Sequence, residues 1–85
     1  MRPIGKYIVI NPIKEEVKTK DGLLLSADDV DSIRYKKAFV VESGSDVDVI
    51  NKGDTIYYDS NMGYSMFIEN EQYTIIREHD VVVVV

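Results

Sequence analysis

The sequence predicts a small all-β domain, a barrel or a sandwich, and three observations lead there. Apolar residues fall in short runs rich in Val, Ile, Tyr and Thr, at Tyr7–Ile10, Lys37–Glu42, Thr55–Tyr58, Tyr64–Ile68, Tyr73–Ile76 and Val81–Val85. Gly, Asn, Asp and Ser clusters punctuate those runs. No segment repeats apolar residues at helical spacing, and Asp28–Ile33 has room for one helical turn at most. Many short strands with turns between them favour a closed or two-layered sheet. No internal repeat or boundary signal divides the chain, so residues 1–85 read as one domain.

Each element follows from its residues. Tyr7-Ile8-Val9-Ile10 is apolar throughout, which predicts a strand covered on both faces; Asn11-Pro12 ends it, and proline is tolerated at a strand margin. Lys37–Glu42 makes the second strand, stopped by Ser43-Gly44-Ser45. Asp46-Val47-Asp48-Val49 alternates charge and valine and reads as edge-like; if Val49-Ile50 enters the next strand, what remains is enough for a turn alone. Asn51-Lys52-Gly53-Asp54 is a turn with Gly53 as its positive-φ residue. Thr55–Tyr58 and Tyr64–Ile68 are strands around a loop at Asp59–Gly63, and Glu69–Gln72 connects a hairpin to Tyr73–Ile76. Five terminal valines carry strong β propensity and no guarding charge, so they need cover. That cover is either the chain's own sheet or a neighbouring subunit.

Composition narrows the function classes. A chain of 85 residues, 45% hydrophobic, builds one small core, and at this size folding buries only about 60–65% of the unfolded surface. With no cysteine, disulfides and thiolate metal sites are excluded, and one histidine cannot make a zinc site. Oligomerisation is the reinforcement left. A net charge of −5 repels phosphate backbones, which disfavours nucleic acid, and the best basic cluster, Arg34-Tyr35-Lys36-Lys37, is short and isolated. No apolar run is long enough for a membrane helix, and Met1–Gly5 lacks a signal-peptide core, so a cytoplasmic protein is expected.

No residue pattern points to catalysis, metal or cofactor. His79 between Glu78 and Asp80 is a surface turn histidine with no partner nucleophile in view. Asp28, Asp29 and Asp31 lack the glycine and distal glutamate of a calcium loop, and Ser43-Gly44-Ser45 has no following Gly-Lys to cradle phosphate. Tyr57, Tyr58, Tyr64 and Tyr73 are not interleaved with basic residues and suit packing better than base stacking. The most unusual stretch is Gly22-Leu23-Leu24-Leu25-Ser26, an apolar triplet inside polar, turn-rich flanks from Lys18 to Ser32. It is either a short buried strand or a contact offered to a partner.

The order of pieces resembles the GroES family, the ten-kilodalton co-chaperonins. Arg2-Pro3-Ile4-Gly5 running into Tyr7–Pro12 is similar to the family's opening, and Lys18–Leu25 to its mobile loop, where a glycine leads an aliphatic triplet. Ala38–Gly44 resembles the strand ending in glycine, Val49–Ile56 the K-x-G-D turn, Ile68–Ile76 the last hairpin and Arg77–Val85 the closing strand. Departures are Lys6-Tyr7 for an acidic–basic pair, a triplet of leucines only, and a short Ser43–Asn51 where the family inserts a roof hairpin. A shortened roof resembles phage-encoded members, which implies a viral source and a host cytoplasm.

The resemblance implies a GroES-like irregular β-barrel with a long mobile loop at about residues 15–36, assembled as a ring of seven. It implies that the C-terminal strand pairs with the N-terminal strand of the next subunit, with Ile4, Tyr7, Val81, Val83 and Val85 at the interface. It further implies that Gly22, Leu23, Leu24 and Leu25 dock on an ATP-bound chaperonin ring, closing its cavity over substrate protein. The co-chaperonin itself uses no cofactor and catalyses nothing. Trypsin is expected to cut first at Lys18, Lys20 or Arg34 in the free ring. The alternative is a monomeric β-barrel adaptor for peptide or nucleic acid.

Overall fold

The computed structural model describes residues 1–13 and 34–85. Six antiparallel strands form one sheet: β1 (Tyr7–Pro12), β2 (Tyr35–Ser43), β3 (Thr55–Asp59), β4 (Tyr64–Ile68), β5 (Glu71–Arg77) and β6 (Val81–Val84). Their order is β4-β5-β1-β2-β3-β6. The fold is all-β as expected. Its two outer strands, β4 and β6, are not paired with one another, so the backbone ladder does not close into a complete barrel.

One face carries the core. Ile8, Ile10, Ala38, Val40, Ile56, Tyr58 and Ile76 pack into a single cluster together with Ile50. Alternation along each strand explains the set, since Ile8 pairs with Ile76 and Ala38 with Ile56, each pair on one face. Val9 points the other way yet is also buried, as the uninterrupted apolar run Tyr7–Ile10 predicts. Val41 forms a bulge, because Val9 pairs with Glu42 while Ile10 pairs with Val40. Pro12 is the last residue of β1, and Ile13 N–H donates the final rung to Lys37 O at 3.0 Å.

Between β2 and β3, the structure corrects the sequence reading. Val49-Ile50 does not lead directly into a strand, and residues 44–54 contain none. This connector lies against the N-terminal turn instead. Asp46 N–H donates to Gly5 O at 2.9 Å, Ser45 Oγ accepts from Gly5 N–H at 3.0 Å, and Lys6 Nζ donates to Asp46 O at 2.7 Å. Ile50 then drops into the core as a plug, worth about 1.5–3 kcal/mol if fully buried. The expected turn follows. Gly53 has φ +93°, Asp54 N–H returns to Asn51 O, and Gly53 N–H donates to Val40 O at 2.9 Å. The next hairpin is tighter than expected: only Glu69 and Asn70 connect β4 to β5, both at positive φ, and Glu71-Gln72 already belongs to β5.

Candidate interface and partner-binding site

β6 is one of the two open ends of the sheet, β4 being the other. It pairs with β3 through Val81↔Tyr58, Val83↔Tyr57 and Val84↔Ile56, and Val85 N–H donates to Thr55 O at 2.9 Å. That uses one backbone edge; β6 is the last strand in the sheet order. Val81 turns inward onto the core cluster, whereas Val82–Val85 stay exposed. Among the described residues the valine tail is thus an outer strand, with Val82–Val85 exposed. Beside it runs an apolar groove of about 320 Å³, lined by Val49 and Ile50, by Glu78 and His79, and by β6.

The short turn before β6 aims it. Glu78–Asp80 is one 3₁₀ turn, and buried Asp80 closes it by accepting Arg77 N–H at 3.0 Å. Glu78 N–H donates to Lys6 O at 2.9 Å, and Lys6 Nζ lies 3.5 Å from the Glu78 carboxylate. This ties the base of β6 to the N-terminal turn. His79 is exposed and lies 3.4 Å from Asp80, which fits the surface-turn reading. Among the described residues no cluster of His, Asp and Glu is placed to hold a metal ion.

A second feature lies where the chain rejoins the sheet at Arg34. Arg34 Nε and Nη2 donate to one oxygen of Asp59 at 3.0 and 2.7 Å. The other Asp59 oxygen accepts Asn61 N–H at 3.1 Å, capping the 3₁₀ turn Ser60–Met62. Asp59 is buried, and its hydrogen bond from Arg34 holds the carboxyl below the usual range against the opposing effect of burial. Ser60 N–H and Oγ both donate to Arg34 O, at 2.9 and 2.6 Å.

A family profile described as chaperonin 10 kDa subunit matches residues 1–85. The chain belongs to the chaperonin 10 family. It is 35% identical to the co-chaperonin GroES of Kosmotoga olearia over 93% of this chain and 89% of that protein. Identity to the Thermosipho melanesiensis co-chaperonin GroES is also 35%, over 95% and 91% of the two chains. The Clostridium beijerinckii co-chaperonin GroES is 26% identical over 100% of this chain and 97% of its own length.

Against this chaperonin 10 background the predicted site residues divide. Gly22, Leu23, Leu24 and Leu25 lie outside the described residues. Ile4, Val83 and Val85 are exposed on the N-terminal segment and the tail. Val81 is half-buried against the chain's own core, so a neighbour could touch only part of it. Tyr7 is half-exposed but already paired with Arg77 of β5, whose guanidinium sits 5.7 Å from its ring centre. Over Ile8–Ile10, β1 has β2 on one side and β5 on the other. A neighbour's tail therefore cannot add to Ile8–Ile10. The expected loop range also shortens, since Tyr35 and Lys36 belong to β2.

Sequence reasoning missed the groove residues Val49 and Glu78 and the Arg34–Asp59 pair. Asp59 did carry a signal, because Asp before Ser-Asn is a helical-turn cap. Its partner, 25 positions away, did not.

Proposed function

We propose that this protein is a co-chaperonin subunit that assembles into a heptameric ring and caps an ATP-bound chaperonin of the GroEL type. The observation that carries the reading is the match of the chaperonin 10 profile across residues 1–85, joined to a terminal strand with one unpaired edge. In this reading β6 of one subunit adds to the Met1–Ile4 segment of the next, which places Ile4, Val83 and Val85 at the contact and Tyr7 at its rim. Gly22-Leu23-Leu24-Leu25 docks in an apolar groove of the chaperonin, and the cavity closes over substrate protein. ATP is hydrolysed by the partner, in the cytoplasm.

Magnitudes suit reversible capping. Three leucines contribute roughly 1.5–3 kcal/mol each on burial, and ordering a segment on binding costs about 2–5 kcal/mol. One loop alone holds weakly, and several on one ring gain from effective concentration. The test is co-purification with a bacterial chaperonin ring, with and without ATP, beside light scattering of the free protein. A heptamer retained only with nucleotide is the expected result. Leu24→Asp should abolish retention and leave the ring intact, because the partner would have to bury an unpaired charge. A full-length protein that stays monomeric at high concentration and ignores the chaperonin defeats the reading.

A further inference from the structure

We propose that the groove beside β6 is a socket for a second copy of this chain, seating that copy's Ile4 between Val49 and β6 with its Arg2 against an acidic rim; this deepens the ring assembly proposed above and rests on it. The walls are built in. One is β6. The other is the connector at residues 44–54, pinned where Asp46 N–H donates to Gly5 O at 2.9 Å and Val47 N–H to Gly44 O at 3.1 Å. Val47 and Ile50 pack on the core, and Val49 between them is left 72% exposed on the groove. Core packing does not use Val49. Lys6 ties the two sides together: its Nζ donates to Asp46 O at 2.7 Å and lies 3.5 Å from Glu78, on the turn that leads into β6. The socket is therefore set within one chain before a partner arrives.

The lining selects the occupant. Val49, Ile50 and the valines of β6 make it apolar, and Glu78 and His79 supply its ionisable groups. A small-molecule site needs several convergent polar groups to orient its ligand, and acidic surroundings repel nucleic acid. An apolar chain segment with a cation beside it fits. Segment 1–4 has that composition. Ile4 is 67% exposed, stands outside the sheet and does not line the groove of its own chain. Pro3 beside it is buried, which holds the course of the segment. Arg2 is exposed and has no hydrogen-bond or ion-pair partner among the described residues. The same is true of Asp48, which adjoins Val49. An unpartnered cation on the entering segment and an unpartnered acid beside the socket are complementary, and such pairs fix register between partners. Backbone pairing along β6 by itself requires neither Val49 nor Asp48, so the socket is a separable part of the joint.

The experiment follows the full-length protein by sedimentation across a concentration series, with circular dichroism as the check on folding. Ile4→Ala removes the inserted side chain, and Val49→Lys puts an ammonium where it would seat. Both positions are exposed in the single chain, so both variants should fold. Losing a buried isoleucine makes each joint roughly 10- to 100-fold weaker. Each variant should thus fall apart at concentrations where the wild type is a ring. An equal mixture of the two should give heterodimers and nothing larger, because only one of the two joints in the pair is intact. Arg2→Gln should weaken assembly by up to about fivefold and flatten its dependence on salt. The chain has no cysteine, so contact can also be read directly. Ile4→Cys and Val49→Cys proteins, mixed and treated with a short bismaleimide, should yield a crosslinked dimer that neither yields alone. Assembled protein without that dimer overturns the proposal, as does assembly of Ile4→Ala or Val49→Lys as tight as wild type. If either of those variants fails to fold, the crosslink decides. Each of these failures leaves joining through the β6 backbone standing. A wild-type protein that stays monomeric defeats the ring itself, a separate outcome.

Discussion

Among the described glycines, Gly44→Ala should be the most damaging. A Cβ at Gly44 would lie 2.2 Å from Gly5 O and 2.5 Å from Tyr7 O. Both obstacles are backbone oxygens, so neither can swing aside as a side chain would. Either β2 must part from the N-terminal turn or the turn must move. Overpacking typically costs 1–3 kcal/mol, and rigid neighbours place this case near the upper end, about 3 kcal/mol. A domain of this size has roughly 5–10 kcal/mol in hand, and each kcal/mol lowers Tm by about 4–8 °C. A fall of about 12–24 °C follows. The displaced turn includes Gly5 and Lys6, which hold Asp46 and Glu78, so the free N-terminal segment should lose its setting and ring assembly should weaken too. Thermal unfolding by circular dichroism at fixed protomer concentration measures the first effect, light scattering the second. Gly53→Ala is the control: nothing lies within 4 Å of its Cβ, and only its φ of +93° resists, a cost of about 1 kcal/mol. If Gly44→Ala is as mild as Gly53→Ala, the steric reasoning is wrong.

Three further outcomes are expected. Replacing Glu69-Asn70 by Asn-Gly should stabilise by up to about 1 kcal/mol, because both positions have positive φ, and a Tm below wild type would contradict the turn assignment. Asp59 has a folded pKa below its ordinary 3.8, so its contribution is fully present above that value and is lost as pH falls through the folded value. The stability gap between wild type and Asp59→Asn, read by denaturant titration, should therefore be constant near neutrality and close in acid. Residues 44–54 are committed to the N-terminal turn, the core and β2, so a ring should have an open acidic top at Asp46 and Asp48; a map of the ring with this segment ordered across the axis would disprove it.

Local chemistry made most strands legible. Runs of β-branched residues between Gly, Asn and Asp located β1, β3, β4 and β6 within a residue or two, and the glycine in Asn51–Asp54 announced its positive φ. Glu69-Asn70 has no glycine, so its two left-handed residues were hidden inside a longer connection. Long-range choices were less visible. Ile50 reads like the first residue of a strand, and only the space left between β2 and β3 makes it a core plug. Arg34 sits in a basic quartet and looks like part of a surface patch, until β2 and β3 pair and bring Asp59 beside it. Val81–Val85 showed that it needed cover, because an uncharged valine run at an edge is hazardous. Which edge stays open depends on the strand order, and short-range patterns do not encode that.

The strand order also bears on how the proposed ring would be joined. A strand edge can pair with its own copy around a two-fold axis, or with a different segment of the next copy. Among the described residues near the start, segment 1–4 lies outside the sheet, while Ile8–Ile10 of β1 are flanked on both sides. Joining β6 to that segment is a head-to-tail contact, and repeated head-to-tail contacts close into rings or run on as fibres. Uncharged Val82–Val85 does nothing to prevent open-ended growth. The curvature must come from how β6 is aimed. Two tethers set that aim: the Glu78–Asp80 turn, held to the N-terminal turn at Lys6, and the bulge at Val82 of β6, which lies between the partners of Tyr57 and Tyr58. Both fix the angle at which β6 meets the first residues of a neighbour. If the proposed ring forms, the turn and the bulge would set its closure and the valines would supply the adhesion.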